Sequence, residues 1–200
     1  MSQIRSVTVF CSSSRHVAPV YLTAAEQLGR GIARRGWTLV YGGNHLGCMA
    51  ALADGARSEN GKVIGISPKL LIDKGLGDEK CDELLVTEDI RQRKALMEDR
   101  GDAFVALPGG IGTLEEIFEI VVGRYLGCHG KPIVLLNVEG FYEPLLRLLE
   151  HGLQQRFIRQ EIRDLLHVTD SVEKALDYLQ QQGVAPIDAH KAQTRLPAVE

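Results

Sequence analysis

The sequence predicts an α/β fold, a Rossmann-like doubly wound parallel sheet of six to seven strands in three layers, α/β/α. Three observations carry that expectation. Short runs rich in Val, Leu and Ile recur along the chain, longer segments with apolar residues at helical spacing lie between them, and glycine-rich turns stand directly after several of the runs. A short run that is apolar throughout and bounded by turn residues reads as a strand buried on both faces, as parallel strands are. Alternation with helices makes each pair a βαβ unit, and right-handed crossovers then wind helices onto both faces of one sheet.

In chain order, strands are expected at 7–11, 37–41, 63–67, 84–87, 103–107 and 133–137, with Trp37 opening the second and packing in the core. Tyr21, Ala24, Ala25, Leu28 and Ile32 give the first connecting helix its apolar stripe. Leu114, Ile117, Val121 and Leu126 do the same after the fifth strand. A shorter seventh strand is expected at 165–168, followed by a helix that opens at Thr169 or Asp170 and runs to about Gln181. Beyond Gly183, two prolines and little apolar pattern predict a loose tail. One domain over 1–182 and a tail over 183–200 follow.

At 200 residues and 44% hydrophobic content the chain is long enough for one core without staples. A net charge of −3, with 24% charged residues of mixed sign, offers no broad basic field for a nucleic acid polymer or an anionic membrane. Cys11, Cys48, Cys81 and Cys128 form no Cys-x-x-Cys pair, and no His-Glu-x-x-His spacing occurs, so no metal is expected. The first residues lack a signal peptide's apolar stretch, and no run approaches the roughly 20 apolar residues a membrane span needs. The expectation is a cytoplasmic protein whose cysteines are small core hydrophobes.

Ligands of open parallel sheets bind beyond the carboxyl ends of the strands. Three turns there are unusual: Cys11 to Arg15, Gly42 to Gly47 and Pro108 to Thr113. In the last, glycines let backbone N–H groups approach a ligand and Thr113 adds a hydroxyl where a helix begins. That is an anion cup, to which the helix dipole adds roughly 0.3–1 kcal/mol. A plain glycine turn with Thr113 as N-cap is the bland alternative. Gly42 and Gly47 have P-loop spacing, but Cys48-Met49 stands where Lys and Ser or Thr belong. A dinucleotide fingerprint fails too, because Glu115 occupies the third glycine position and strand two lacks a ribose-binding acid.

Glu115 and Glu116 are expected in the first turn of the helix after the cup, where acids suit the dipole anyway, with Glu116 near the cup's mouth. Arg91, Arg93 and Lys94 crowd the start of the helix after strand four. Three cations oppose that helix's dipole, which favours a phosphate or carboxylate partner over plain surface charge.

At these residues the chain resembles the Lonely Guy (LOG) family, cytokinin riboside 5′-monophosphate phosphoribohydrolases often mislabelled lysine decarboxylases. The pattern Pro-Gly-Gly-x-Gly-Thr-x-x-Glu is met in full from Pro108 to Glu116, and Arg93-Lys94 followed by Met97 matches the second signature. The resemblance covers most of residues 5–150. It implies that Gly110, Gly112 and Thr113 hold the 5′-phosphate, that Gly109, Ile111 and Lys94 also belong to the substrate site, and that Arg93 and Glu116 both bind and catalyse. The reaction implied is hydrolysis of the N-glycosidic bond of a nucleoside 5′-monophosphate, without metal or organic cofactor, by a homodimer.

Physical chemistry makes those roles sensible. Departure of the base leaves positive charge on the sugar, which a carboxylate stabilises while activating water. Ser13 is the hydroxyl expected to join the ligand from the first turn. His45 is read as a solvated turn histidine, and Cys11 and Cys48 as packing residues. Positions that differ from the family, namely Ser12, Asn44-His45, Asp73, Arg91, Gly123 and Tyr125, surround the expected substrate and leave the base open between AMP and N6-prenyl-AMP. Ile117, Val121 and Val122 are the apolar residues expected at a dimer interface. Two other classes remain: a binding protein that holds a nucleotide or molybdenum-type cofactor without turnover, and a pyridoxal-dependent decarboxylase built on Lys94.

Overall fold

The computed structural model describes residues 3–185. Seven strands form one sheet: β1 (Ser6–Phe10), β2 (Thr38–Tyr41), β3 (Val63–Pro68), β4 (Glu83–Thr87), β5 (Ala103–Ala106), β6 (Ile133–Leu136) and β7 (Leu166–Thr169). Every neighbouring pair is parallel, in the order β4-β3-β2-β1-β5-β6-β7. The order reverses between β1 and β5, the switch point at which carboxyl-end turns diverge and leave a crevice.

Alternation along each strand divides the core between the two faces. Val7 and Val9 of β1 pack with Leu39, Tyr41, Val105 and Val134 against α1 (Pro19–Arg34), α2 (Gly47–Ser58) and α8 (Val172–Gln182). Phe10, Val40, Phe104 and Leu135 face the other way, toward α4 (Ile90–Arg100), α5 (Ile111–Leu126) and α6 (Glu143–Gln154). Two short helices, α3 (Lys69–Ile72) and α7 (Gln160–Arg163), precede the edge strands β4 and β7. No helix among the described residues is long and apolar enough to cross a membrane.

Several boundaries differ from the sequence reading. Trp37 is buried but precedes β2: its N–H is spent on Ile32 O at the end of α1, so pairing starts at Thr38. Thr169 ends β7 rather than opening the next helix. That helix begins at Val172, because the Ser171 hydroxyl caps it by accepting from Lys174 N. α5 begins at Ile111 with Gly110 as N-cap, so Thr113 lies inside the helix and Glu115 and Glu116 fall in its second turn, not its first. Ile117 and Val121 face the sheet in the core and are unavailable to a partner, whereas Val122 is exposed. Gly183 ends α8 and Ala185 N donates to Gly130 O at 3.3 Å. The loose tail expected from 183 falls, over 186–200, outside the described residues.

Candidate active site

The turns after β1, β2 and β5 converge on a cavity of about 340 Å3 over the switch point. At its floor lies a buried ion pair. Arg93 closes the first turn of α4, a helix opened by the Asp89 carboxylate, which accepts from Gln92 N at 2.8 Å. The Arg93 Nε donates to Ile66 O at the end of β3 (3.0 Å), and Nη1 donates to Glu116 Oε1 (2.5 Å). Both residues are 6% exposed. Gly42 makes room for this arrangement, since a Cβ there would overlap the second guanidinium nitrogen and the Met49 methyl.

Burial pushes the Glu116 carboxyl above the usual carboxylate range, and the Arg93 guanidinium pulls it only part of the way back. Removing either partner would leave a buried charge uncompensated, at a cost of roughly 3–5 kcal/mol. The carboxylate partner expected for the cations of α4 is thus on α5.

Above the pair sits the start of α5. Gly110 provides no side-chain cap, and the first bond into the helix is Leu114 N to Gly110 O, 3.1 Å. The N–H groups of Ile111, Gly112 and Thr113 therefore have no acceptor among the described residues. A Cβ at Gly110 or Gly112, both of which line the cavity, would meet nothing within 4 Å. No protein atom keeps those two positions bare. Gly109 is different: it lies behind Thr113, and a Cβ there would overlap the Thr113 hydroxyl. Thr113 is buried and lines the cavity.

The opposite wall is the turn after β1. Ser12 O accepts from Met49 N at the start of α2 (3.2 Å). The Ser12 hydroxyl accepts from Ser14 N and the Ser14 hydroxyl from His16 N, so each is used within the turn. Among the described residues the Ser13 hydroxyl has no such partner, and Ser13 lines the cavity.

Of the residues expected at the site, Ser13, Arg93, Gly110, Gly112, Thr113 and Glu116 surround the cavity, while Gly109, Ile111 and Lys94 are outside its lining. Ile111 is 82% exposed beside it. Lys94 turns away to Glu115 and Glu119. His45 is exposed, its Nδ1 3.1 Å from Gly77 O. Burial holds the Cys11 thiol well above its ordinary value and pushes Cys48 up to about 11, as packing residues require. No His, Cys, Asp or Glu cluster suited to a metal occurs among the described residues.

Two lining residues were missed, Met49 and Leu71, while the sequence places Asn44 beside the substrate only as a position that differs from the family. Asn44 and Met49 follow β2 and Leu71 follows β3, so position at a strand's carboxyl end was the available signal. Asn44 is buried, and its Oδ1 accepts from Leu46 N at 3.0 Å.

Lys94 is unsuited to a Schiff base. Glu115 above all, and Glu119, raise its pKa and hold it protonated, whereas imine formation needs the free amine.

The family described as possible lysine decarboxylase matches residues 49–179. The cytokinin riboside 5′-monophosphate phosphoribohydrolase of Mycobacterium tuberculosis is 43% identical over 171 residues, 86% of this chain and 91% of that one. A probable enzyme of the same name from Oryza sativa subsp. japonica is 38% identical, covering 90% of this chain and 74% of its own. Among solved structures, the molybdenum cofactor carrier protein of Chlamydomonas reinhardtii superposes with a TM-score of 0.68 at 26% identity, over 88% of this chain and 96% of that one. The family match extends over most of the chain and the identities hold nearly end to end, so the chain belongs to the Lonely Guy family, the group that still carries the lysine decarboxylase label.

Proposed function

We propose that the protein hydrolyses the N-glycosidic bond of a nucleoside 5′-monophosphate, AMP or N6-prenyl-AMP (cytokinin riboside 5′-monophosphate), to the free base and ribose 5-phosphate. One observation carries the proposal: an uncapped helix start with bare glycines opens directly above a buried Arg–Glu pair. The 5′-phosphate occupies the cup, taking the free N–H groups of α5 and the hydroxyls of Thr113 and Ser13. The helix dipole and the fixed N–H groups provide for its charge without a metal.

With the phosphate so placed, the sugar lies over Glu116. As the bond from C1′ to the base nitrogen breaks, its electron pair leaves with the base, and positive charge spreads over C1′ and the ring oxygen. Glu116 stabilises that charge and takes a proton from the water whose hydroxyl goes to C1′, while the departing base takes up a proton, so that one water is consumed and Glu116 returns its own proton to solvent. A carboxyl raised by burial is a stronger base than an exposed one, and Arg93 keeps it oriented. The mycobacterial and rice relatives bear the name of this reaction.

Glu116→Gln tests the reading. Base release from AMP and prenyl-AMP, followed by chromatography, should fall by about 100-fold or more, with nucleotide binding largely retained. Retention of more than about a tenth of the activity would overturn the catalytic role. The likeness to a molybdenum cofactor carrier favours a second reading, binding without turnover. Wild-type protein that binds AMP and prenyl-AMP yet releases no base would establish it.

A homodimer is the assembly the family suggests. Exposed Val122 and Leu126 on α5 offer apolar surface for it, Ile117 and Val121 being spent on the core. Free cysteines suit a reducing compartment such as the cytoplasm.

A further inference from the structure

Lys94 follows Arg93 on α4, and family resemblance assigns both to the substrate. Their surroundings differ. The Lys94 ammonium lies 2.6 Å from Glu115 and 2.7 Å from Glu119, with 14% of its side chain exposed. Those carboxylates are four residues apart on α5, on either side of Glu116 in sequence. Lys94 is outside the cavity lining, and its charge is already shared between two carboxylates.

The helices it joins stand on different parts of the sheet. α4 packs on β1, β2, β3 and β4, whereas α5 packs on β1 and β5, so they meet only at the switch point. Their polar connections there are Arg93 to Glu116 at the cavity floor and Lys94 to Glu115 and Glu119 outside it. We propose that Lys94 is a positioning residue: a strut between α4 and α5 that fixes Arg93 against Glu116 without touching the nucleotide. This rests on the hydrolase reading above.

A single exposed ion pair would be a weak strut. Here the lysine is largely covered and is anchored at two points, on carboxylates that are half exposed, and reacting groups are sensitive to displacements on the order of 1 Å. Lys94 also acts through charge. The charged and titratable groups facing Glu116 are Arg93 and Lys94 from α4, Glu115 from its own helix and Cys11 from the end of β1. Glu115 raises the Glu116 carboxyl and Lys94 lowers it.

The test compares Lys94→Met with the double variant Glu115→Gln/Glu119→Gln, whose side chains are half exposed and can change without burying a polar group. A strut predicts that each lowers kcat by about tenfold and leaves KM for AMP nearly unchanged, and that combining them costs no more than either alone. Lys94→Arg, which keeps a cation between the two carboxylates, should recover most of the lost rate. The acid limb of kcat should move to higher pH in Lys94→Met and to lower pH in the double variant, a divergence that mere loosening would not produce.

A KM raised about tenfold in Lys94→Met alone would show that the lysine touches substrate and would overturn the proposal, as would wild-type kcat in both variants. If Lys94→Met fails to fold, the double variant still decides. A wild-type protein inert toward every nucleotide sinks the hydrolase reading instead. Calorimetry with ribose 5-phosphate then decides the strut: unchanged affinity in Lys94→Met supports it and lost affinity ends it.

Discussion

Two glycine turns border the cavity, and they do opposite things with the same residue. In the turn after β2 the space is taken by protein. Gly47 has φ +57, its missing side chain leaves room for the backbone of Ser13 and Ser14, and the α2 N–H of Met49 is bound to Ser12 O. In the turn after β5 the space is empty. Gly110 and Gly112 have no neighbour where a Cβ would stand, and the opening N–H groups of α5 have no acceptor among the described residues. The first turn is built for packing. The second is built for something that arrives from outside.

The comparison breaks most readily at Gly47. Gly47→Ala puts a Cβ into the Ser14 carbonyl at a left-handed φ, so overpacking should cost roughly 1–3 kcal/mol, with about 1–2 more from the backbone. Denaturant melts should show that loss directly. A variant as stable as the wild type would mean the turn yields, and the filled-versus-empty distinction would fail.

Gly112→Ala should behave in the opposite sense. Inside α5 and away from protein atoms, alanine is a better helix former by up to about 1 kcal/mol, so the melt should hold steady or rise. Ribose 5-phosphate affinity should nevertheless fall by about tenfold or more, read by calorimetry, because the new methyl occupies the cup. Unchanged affinity would place the phosphate elsewhere. Thr113→Val is the gentler form of this test. It removes one neutral donor, worth about 0.5–1.5 kcal/mol of binding, and spares the fold.

Much of this was legible in the sequence, for reasons that also explain what was not. The seven strands could be found because parallel strands are apolar on both faces. Their ends slipped where a backbone N–H was spent elsewhere, as at Trp37, or where a hydroxyl one residue later made the better cap, as at Ser171. The glycine-rich start of α5 is local pattern, whereas Arg93 and Glu116, 23 residues apart, were set together by the family resemblance; the structure joins them in an ion pair. Ile117 and Val121 were misread because apolar spacing on a helix does not say whether the sheet or a partner covers it. Leu71 follows β3 at a carboxyl end, but local pattern does not reveal which of the residues there a tertiary closure brings to the cavity. Segment 76–78 folds back onto the β2 turn, with Asp78 N bound to Gly43 O at 2.9 Å and Asn44 bridged to Gly77.

A carboxylate lies behind each turn, and the two sharpen the comparison with the smallest expected effect. Asp78, behind the filled turn, accepts from the Tyr41 hydroxyl (2.7 Å), Arg57 Nη1 (2.9 Å) and Lys80 N (3.0 Å). Burial pushes its carboxyl up, but these donors outweigh it and leave the pKa below the ordinary 3.8. Glu116, behind the empty turn, has one guanidinium, and its pKa ends above 4.5. Because the folded pKa of Asp78 is depressed, its contribution to stability is present above 3.8 and is lost only as pH falls through the lower folded value. Base catalysis by Glu116 is lost earlier, as pH falls through a value above 4.5. Acidification should therefore abolish turnover while the stability difference between wild type and Asp78→Asn, about 1–3 kcal/mol, persists. Taking that difference cancels His129, whose pKa burial lowers to about 4 and which draws stability out of both proteins as pH falls from 6.5. If activity instead survives to the pH at which the Asp78 contribution disappears, Glu116 is no more basic than Asp78. The empty turn would then have no base poised beneath it.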